Sequence, residues 1–493
     1  MNSCLKKCVS SIIHKKGVLF KYIFQKKNNL FFYKFSLLQI CALVRAISLL
    51  APILSVFKYI ASISSMRKDI ECIGENINIS KDLISLAHIF NRVGFSVYLV
   101  GGALRDSFLQ RDICDIDIAT DATPQDVIKL FRKTIPTGIK HGTVTIIFRG
   151  RMIECTTLRR DEGYEDARHP DKVIFGNSII EDLSRRDFTM NAIAARLPDA
   201  TIIDPYGGKK DIKRHIICAV GVASKRFEED TLRPVRAIRF VSQLGFNIEE
   251  QTLKAIPPIV PKMKNISIER FQDEFNKMIM GKYFDKAFTL MYDAKIFNVF
   301  ISELELLQKE DKNLLLKSIS NIPCTAFILR LSIICYYIAN KNTQNYIEKI
   351  RSILKRLKYS NNIISHILHI LPYCYYDIEK LDCKVKMRFF VKDAKKEYIK
   401  DIFILKKALS SNENSLRKLV SIEKNIREMM LEDFPHSIKG LCINGDDLLS
   451  IGIKKGPIVG KLLNKLLDIV LEEPSKNNKE ELTKIAVKLA REF

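Results

Sequence analysis

The sequence predicts an α+β protein with a small sheet-containing head near its N-terminus and helices over the rest of the chain. Two observations support this prediction. Between about residues 80 and 205, short apolar runs typical of buried strands alternate with helical segments. Beyond residue 222 the strand signals fade, and apolar residues recur at helical spacing. We therefore expect a mixed sheet in the head and an almost entirely helical remainder.

Each element of the head follows from its local pattern. Residues 81–93 have helical spacing, and the run SVYLV at 96–100 predicts a buried strand that ends at Gly101-Gly102. A helix is predicted at 103–109. Further strands are predicted at 116–119, 144–148 and 152–155.

The chain has 493 residues, enough for about three domains. We expect an N-terminal extension over 1–68, a head over 75–220, a helical neck over 221–280, a helical body over 281–400 and a helical tail over 401–493.

The formal net charge of +24 indicates a polyanionic partner, although a Lys-rich surface without such a partner is the alternative. Residues 1–68 contain twelve Lys and Arg and no Asp or Glu, so they carry +12 and leave +24 − 12 = +12 for the rest. The twelve Cys form no CxxC pair and no Cys/His cluster at zinc spacing, which favours free thiols in a reducing compartment.

Residues 35–57 are largely apolar but are broken by Arg45 and Pro52. Their length would span a bilayer, although a central Arg costs at least about 2.5 kcal/mol there. Three interpretations stay open: an organellar targeting segment, a signal anchor, or an extension that is not part of the working protein. If residues 1–65 are dispensable and Met66 is an internal start, we expect a cytoplasmic protein. The alternative is a mitochondrial or plastid protein that contacts a membrane or the import machinery through these residues.

Two closely spaced carboxylates are the first sign of chemistry. Alternation along a strand would place Asp115 and Asp117 on one face, where they would repel each other unless a cation lies between them. Paired carboxylates hold two Mg²⁺ ions in this way for in-line phosphoryl transfer. Gly101-Gly102 would let backbone N–H groups approach a triphosphate, and Arg105 would reach the same phosphates.

The ordered combination of strand, Gly-Gly, helix and Asp-x-Asp resembles the nucleotidyltransferase superfamily that includes DNA polymerase beta, with Glu154 at its third acidic position. Five segments resemble, in order and spacing, the motifs of class II tRNA nucleotidyltransferases and bacterial poly(A) polymerases. They are VGGALRDSFLQRDICDIDIAT (100–120), EDLSRRDFTMNA (181–192), DPYGGKKD (204–211), RFEEDTLRPVRAIRF (226–240) and SIERFQDEF (267–275).

The resemblance implies a role for each matching residue. Asp115 and Asp117 would be the catalytic metal ligands, with Glu154 as a candidate third ligand. Four residues would contact the ribose and phosphates of the nucleotide, namely Gly102, Arg105, Arg186 and Asp187. A nucleotide-reading helix would carry Asp230, Arg233, Arg236 and Arg239.

Asp230 and Arg233 also provide a physical basis for base selection. Three residues apart on a helix, they would share a face. A carboxylate accepts from the exocyclic amine of C or A, and a guanidinium donates to the ring acceptors, whereas U and G present the opposite groups. Pro234-Val235 departs from the family pattern, so it would distort or cap this helix.

The polar stretch RRDEGYEDARHPDK at 159–172 predicts a mobile loop. In the family, CCA-adding enzymes have a loop here that CC-adding relatives have shortened, so its presence favours full CCA addition or an A-adding enzyme. Residues 137–144 and 154–159 also look like the CCA branch. His141 would be either a substrate contact or a structural turn residue.

Residues 441–467 resemble the tail of bacterial-type CCA enzymes. A helix starting at Gly456-Pro457 would present lysines to an RNA backbone or to solvent, namely Lys454, Lys455, Lys461 and Lys465. His366 and His369 do not form a metal-phosphohydrolase signature.

Together these observations imply an enzyme that adds C, C and A to the tRNA 3′ end from CTP and ATP with Mg²⁺. A poly(A) polymerase or a partial CC- or A-adding enzyme is the alternative within the family. A catalytically silent RNA-binding protein and a membrane-tethered protein are the alternatives outside it.

Overall fold

A mixed seven-stranded sheet forms the centre of the head in the computed structural model. The structure describes residues 70–73, 76–111, 113, 115–139, 142–162, 172–339, 345–432 and 434–491. The sheet has the strand order β11-β10-β3-β4-β7-β6-β5, and β4 and β7 run parallel while the other neighbours are antiparallel. Its strands are β3 (Val97–Val100), β4 (Asp117–Thr120), β5 (Thr134–Gly138), β6 (Thr143–Phe148), β7 (Arg151–Thr157), β10 (Ala194–Arg196) and β11 (Thr201–Ile203).

Three two-stranded sheets accompany this central sheet. Their strands are β1 (Ile70–Ile73) with β2 (Asn76–Ile79), β8 (Arg159–Glu162) with β9 (Lys172–Phe175), and β12 (Ile216–Ile217) with β13 (Asn247–Ile248). The head helices are α1 (Lys81–Asn91), α2 (Gly102–Phe108), α3 (Pro124–Leu130), α4 (Ile179–Ser184) and α5 (Gly208–Arg214).

Local sequence explains where several of these elements begin. The Ser80 hydroxyl accepts from the Leu83 N–H at the start of α1, and Thr123 forms a capping box with Asp126 at the start of α3. Strand β3 has Val97 and Leu99 fully buried, as expected for a strand in the middle of a sheet.

Beyond residue 222 the described chain is helical, apart from β13. The helices are α6 (Ala223–Glu229), α7 (Arg233–Leu244), α8 (Glu250–Lys254), α9 (Ile268–Ile279), α10 (Phe284–Asp293), α11 (Phe297–Phe300), α12 (Lys309–Ser320), α13 (Phe327–Ala339), α14 (Tyr346–Arg356), α15 (Asn361–Tyr375), α16 (Lys384–Ala394), α17 (Ile399–Leu409), α18 (Glu413–Met429), α19 (Gly445–Ser450), α20 (Pro457–Glu472) and α21 (Lys479–Ala490). Short 3₁₀ helices lie at Thr189–Asn191, Pro257–Asn265, Ser302–Leu304, Ile378–Lys380, Lys396–Tyr398, Ile438–Gly440 and Pro474–Lys476. The predicted fold class is therefore confirmed.

The largest hydrophobic core extends from the head through the helical part to Leu467 and Leu471 of α20, and a separate cluster lies within the last helices. The separate cluster includes Leu448, Leu462, Leu466 and Leu482. The domain boundaries predicted at residues 220, 280 and 400 stay proposals.

Within the described residues, no helix is long and apolar enough to cross a membrane. The apolar run at 35–57 and the internal Met66 lie outside the described residues. A contact between residues 1–65 and a membrane or the import machinery therefore stays a prediction.

Candidate active site

An open cleft of about 680 Å³ lies between the head sheet and helices α7 and α9. All of the predicted site residues line it: Gly102, Arg105, Asp115, Asp117, Glu154, Arg186, Asp187, Asp230, Arg233, Arg236 and Arg239. We call one side the sheet wall, made of Asp115, Asp117, Thr143, Glu154 and Thr156. We call the other side the neck wall, made of Asp230, Arg233, Arg236, Arg239 and Arg270.

The carboxylates of the sheet wall come from two neighbouring strands. Asp117 is the first residue of β4, and it stands directly opposite Glu154 of the parallel strand β7. The prediction that Asp115 shares a strand with Asp117 is wrong. The Glu154 N–H donates to the Ile116 carbonyl at 3.0 Å, and the strand begins only at Asp117, so Asp115 precedes it. Both aspartates nevertheless line the same cleft.

The environment of Asp117 disfavours its negative charge. Burial, followed by the charge of Glu154, raises the pKa of Asp117 to about 6, with Asp115 adding to the effect and Arg186 opposing it. Crowded carboxylate oxygens are the donors that Mg²⁺ prefers, and it binds through one or two carboxylates plus substrate phosphates. The Asp pair therefore fits such an ion.

In the described part of the chain, no group of three or more His, Cys, Asp or Glu side chains could hold a metal ion by itself. Asp115, Asp117 and Glu154 thus share the cleft without forming a closed set of ligands. A ligand role for Glu154 stays a prediction.

Gly101 is the residue that lets the loop after β3 approach Asp117. Its φ of +75° lies in the left-handed region, and a Cβ there would be 3.2 Å from Asp117 Oδ2 and 3.4 Å from Arg186 Nη1. A larger residue would suffer backbone strain and crowd both charged groups. Gly102 then begins α2, one residue before the predicted start at Ala103.

Arg105 and Arg186 are held in place by polar neighbours. Arg105 pairs with Asp106 at 2.9 Å and donates to Asn191 Oδ1 at 2.9 Å. Arg186 pairs at 3.1 Å with Asp182, which is 1% exposed and also binds Arg185. Burial would raise the pKa of the Asp182 carboxyl, but the two guanidinium groups lower it below its ordinary value.

A chain of ion pairs joins the head to α7 and α9. Arg236 donates two hydrogen bonds to Asp187 Oδ2, at 3.0 and 2.8 Å, and contacts Glu274 at 3.2 Å. Arg239 contacts the other oxygen of Glu274 at 2.5 Å. Although burial opposes it, the Arg236 charge lowers the pKa of Asp187 well below its usual range. This network fixes the neck wall against the head.

The prediction that Asp230 and Arg233 share a helix face is wrong. Helix α6 ends at Glu229, Asp230 has an extended backbone with φ −143°, and α7 begins only at Arg233. Pro234 lies in the first turn of α7, where its missing N–H costs nothing, so it starts the helix and does not distort it.

Asp230 and Arg233 also have separate partners. Asp230 accepts from Arg270 of α9 at 2.8 Å and from the Leu232 N–H at 3.1 Å. Arg233 pairs with Glu229 at 2.7 Å and donates to the Arg185 carbonyl at 3.0 Å.

Several residues that line or support the cleft are not predicted from the sequence, among them Asp182, Phe240, Arg270 and Glu274. They lie within the resembling motifs, but the resemblance assigns them no role. The i,i+3 and i,i+4 spacing of Asp182 to Arg185 and Arg186 was a readable signal. Phe240 lies beneath three guanidinium groups, with Arg239 Cζ 3.7 Å from its ring centroid. Glu274 lies 38 residues from its partner Arg236, and Arg270 lies 40 residues from its partner Asp230. Pairs this far apart in the chain leave no local pattern in the sequence.

The predicted loop at 159–172 is in part a hairpin, because its ends form the paired strands β8 and β9. Residues 163–171 and His141 lie outside the described residues.

In the tail, α20 begins at Pro457 as predicted, and four lysines are exposed, namely Lys454, Lys455, Lys461 and Lys465. His366 pairs with Asp401 at 2.9 Å, and His369 Nε2 lies 2.9 Å from the Ala394 carbonyl, so both have structural partners.

Comparison with known proteins agrees with this geometry. Residues 97–218 match the poly(A) polymerase head domain family, residues 245–307 an RNA- and SrmB-binding region of polymerase A, and residues 339–486 a second domain of tRNA nucleotidyltransferases.

Two curated relatives are CCA-adding enzymes. The enzyme of Anoxybacillus flavithermus is 37% identical over 414 residues, covering 83% of this chain and 96% of its own. That of Limosilactobacillus fermentum is 34% identical over 399 residues, covering 81% of this chain and 94% of its own. A crystal structure of the Bacillus stearothermophilus CCA-adding enzyme in complex with CTP aligns with a TM-score of 0.70 at 29% identity, covering 83% of this chain and 97% of that one. With this similarity along most of its length and a cleft that unites the family's motif residues, the chain belongs to the CCA-adding enzyme family of nucleotidyltransferases.

Proposed function

We propose that this protein adds C, C and A to the 3′ end of tRNA, using CTP and ATP without a nucleic-acid template. The observation that carries the proposal is that one cleft unites the Asp115–Asp117 pair with Asp230 and Arg233. Carboxylates in a phosphoryl-transfer arrangement favour an enzyme over a silent RNA-binding protein. The similarity to a CTP-bound CCA-adding enzyme favours addition of C as well as A.

The reaction forms a bond between the tRNA 3′ oxygen and the α-phosphorus of the nucleotide. The bond from the α-phosphorus to the bridging oxygen breaks, pyrophosphate leaves, and the hydroxyl proton passes to water. Catalysis rests on positioning and electrostatics, so no side-chain nucleophile is required.

The residues of the head divide this work. Asp115 and Asp117 would hold two Mg²⁺ ions, with Glu154 as a third ligand. Such ions neutralise the charge that develops on the phosphate oxygens. Gly102 and Arg105 bind the phosphates, and contacts to ribose and phosphate come from Arg186 and Asp187.

Base selection belongs to the neck wall. Asp230 accepts from the exocyclic amine of C or A, and Arg233 donates to the ring acceptors. Arg270 already occupies Asp230 Oδ2 at 2.8 Å, so it orients the carboxylate and leaves lone pairs for the base. U and G would leave buried polar groups unpaired, at a cost of about 1–3 kcal/mol each.

The tRNA body is held by positive charge away from the cleft. The exposed lysines of the tail, at 454, 455, 461 and 465, are suited to phosphate contacts. The net charge of +12 on residues 69–493 agrees with a polyanionic partner such as tRNA.

The direct test uses purified protein and tRNA lacking its CCA end, with each nucleotide supplied alone and together and the products resolved by length. We expect CTP alone to add two residues, and CTP with ATP to add three. UTP and GTP should add none. Long A tails made from ATP alone would establish a poly(A) polymerase, and addition of only C or only A would establish a partial enzyme.

The segment between β8 and β9 tests the choice between C and A. Deleting residues 163–171 should spare CC addition but lower addition of the terminal A about 100-fold, because CC-adding relatives have a shortened loop at this place. A matched variant replaces the same residues by Gly and Ser at unchanged length. Equal loss of both additions in the deletion would assign the segment a purely structural part.

A further inference from the structure

The strand order places two different kinds of side chain on either side of the catalytic carboxylate. Asp117 lies on β4, at the middle of the sheet order β10-β3-β4-β7-β6. The phosphate-binding candidates Gly102 and Arg105 follow β3, on one side of β4. On the other side, β7 and β6 carry the hydroxyls of Thr156 and Thr143 beside Glu154.

These hydroxyls belong to a cross-strand threonine pair in the sheet wall. Thr143 of β6 stands directly opposite Thr156 of β7, and their Oγ1 atoms are 3.3 Å apart. Thr156 follows Glu154 by two residues, so both point to the same face, and both threonines line the cleft. Met152, on that same face, is 65% exposed, so the surface is open to solvent.

The chemistry of the pair suits a ribose. One of the two hydroxyls donates to the other, which leaves one O–H donor and several oxygen lone pairs for a ligand. A ribose 2′-hydroxyl is both a donor and an acceptor, and its recognition distinguishes RNA from DNA. A triphosphate, in contrast, needs the positive charge found beyond β3.

In-line transfer decides which ligand lies here. The attacking and leaving oxygens lie on opposite sides of the phosphorus. With the pyrophosphate drawn toward Arg105 and Arg186, the acceptor must approach from the β7–β6 side. Resting on the proposed function, we infer that Thr143 and Thr156 hold the terminal ribose of the tRNA acceptor, and thereby position its 3′-hydroxyl for attack.

The first experiment removes the hydroxyls while keeping side-chain shape, with Thr143→Val and Thr156→Val singly and together. Each single variant should raise KM for tRNA lacking CCA about 3- to 10-fold, as expected for one lost hydrogen bond. KM for CTP at saturating tRNA should stay within about twofold. Equal rises in both KM values, or no rise in KM for tRNA, would overturn the inference.

Thr137→Val is the matched control. Thr137 lies on β5 and pairs with Thr145 at 3.1 Å, which gives the same chemistry on a neighbouring strand, but neither residue lines the cleft. Its KM for tRNA should match that of the wild type. A rise in KM for tRNA as large as that of Thr156→Val would show that a disturbed sheet, not a lost ribose contact, causes the effect.

A second experiment tests the contact itself. Replacing the terminal nucleotide of the acceptor by its 2′-deoxy form should lower kcat/KM of the wild type about fivefold and that of the double valine variant less than twofold. Equal losses would overturn the inference while leaving the proposed function intact. A wild-type protein that extends no tRNA at all would overturn the proposed function, and this inference with it.

Discussion

The charged side chains of the two cleft walls are arranged differently: those of the neck wall are paired with opposite charges, whereas carboxylates crowd together on the sheet wall. On the neck wall and its supports, guanidinium groups are matched with carboxylates, as in Arg236 with Asp187 and Glu274. On the sheet wall, Asp117 stands opposite Glu154, and burial together with that neighbour raises its pKa to about 6. The neck wall is thus neutralised by the protein itself, whereas under the proposed function the sheet wall is neutralised by bound Mg²⁺.

This difference separates stability from chemistry. Matched buried charges stabilise only as a set, because removing one partner leaves the other charge buried and uncompensated. Crowded carboxylates cost stability in the free protein and serve the reaction. Changes on the neck wall should therefore alter folding and base choice, and changes on the sheet wall should alter turnover.

The largest effect is expected for Asp117→Ala. Incorporation of CTP should fall by about 10³-fold or more, since the proposed metal ligand is lost, while tRNA binding persists. The free energy of unfolding should not decrease, because the change relieves repulsion with Glu154. Single-turnover extension, tRNA filter binding and urea unfolding measure the three quantities.

Glu228→Ala is the charge-matched control for that variant, since Glu228 pairs with Lys262 at an exposed site. It should leave turnover unchanged. Near-normal turnover of Asp117→Ala would remove this residue from the metal role, and a large loss of stability would erase the contrast between the walls.

Glu274→Ala should have the next largest effect, on stability. Glu274 is 4% exposed and contacts Arg236 and Arg239, so its removal should lower the free energy of unfolding by about 3 kcal/mol. Urea unfolding followed by circular dichroism measures the change. Glu269→Ala, an exposed position on the same helix, should cost less than about 0.5 kcal/mol. Equal costs would mean that the neck network contributes nothing to stability.

Asp230→Asn combined with Arg233→Gln should change base choice more than stability. The ratio of kcat/KM for UTP to that for CTP should rise about tenfold, because the variant offers a donor where U has a carbonyl. Asp230→Ala offers no donor, so it should lower CTP use without improving UTP use. An unchanged ratio in the double variant would place base reading elsewhere on the neck wall.

Lowering the pH is expected to have the smallest effect, a change in the free energy of unfolding. The pKa values of Asp182 and Asp187 are lowered in the folded protein, so their stabilising contribution is complete above the ordinary Asp value of about 3.9 and is lost as pH falls below it. Asp117, whose pKa is raised to about 6, binds its proton in the folded protein at a higher pH than in the unfolded chain, so stability should rise slightly as pH falls from 7 to 5 and should decline below about pH 4. Asp187→Asn should flatten that decline, as measured by urea midpoints across the pH range. An unaltered slope would show that the Asp187 charge is not coupled to folding.

Much of the site could be predicted from sequence because its signals are local. One short segment contains Gly101, Asp115 and Asp117. The backbone of Gly101 has φ +75°, a conformation that glycine adopts readily because it has no Cβ. The spacing of Asp182 to Arg185 and Arg186 is equally local. The change from strand to helix patterns near residue 222 likewise depends only on hydrophobic periodicity.

The tertiary structure decided what depends on distant partners. Glu154 becomes a neighbour of Asp117 only because β7 pairs in parallel with β4, and Asp230 is held by Arg270, 40 residues away. The inner strand β10 and the edge strands β5 and β11 are not predicted, because short or polar segments form strands through pairing more than through intrinsic preference. Sequence alone therefore identified the candidate residues that line the cleft, while folding decided which of their charges are neutralised, because that depends on which side chains pack around them.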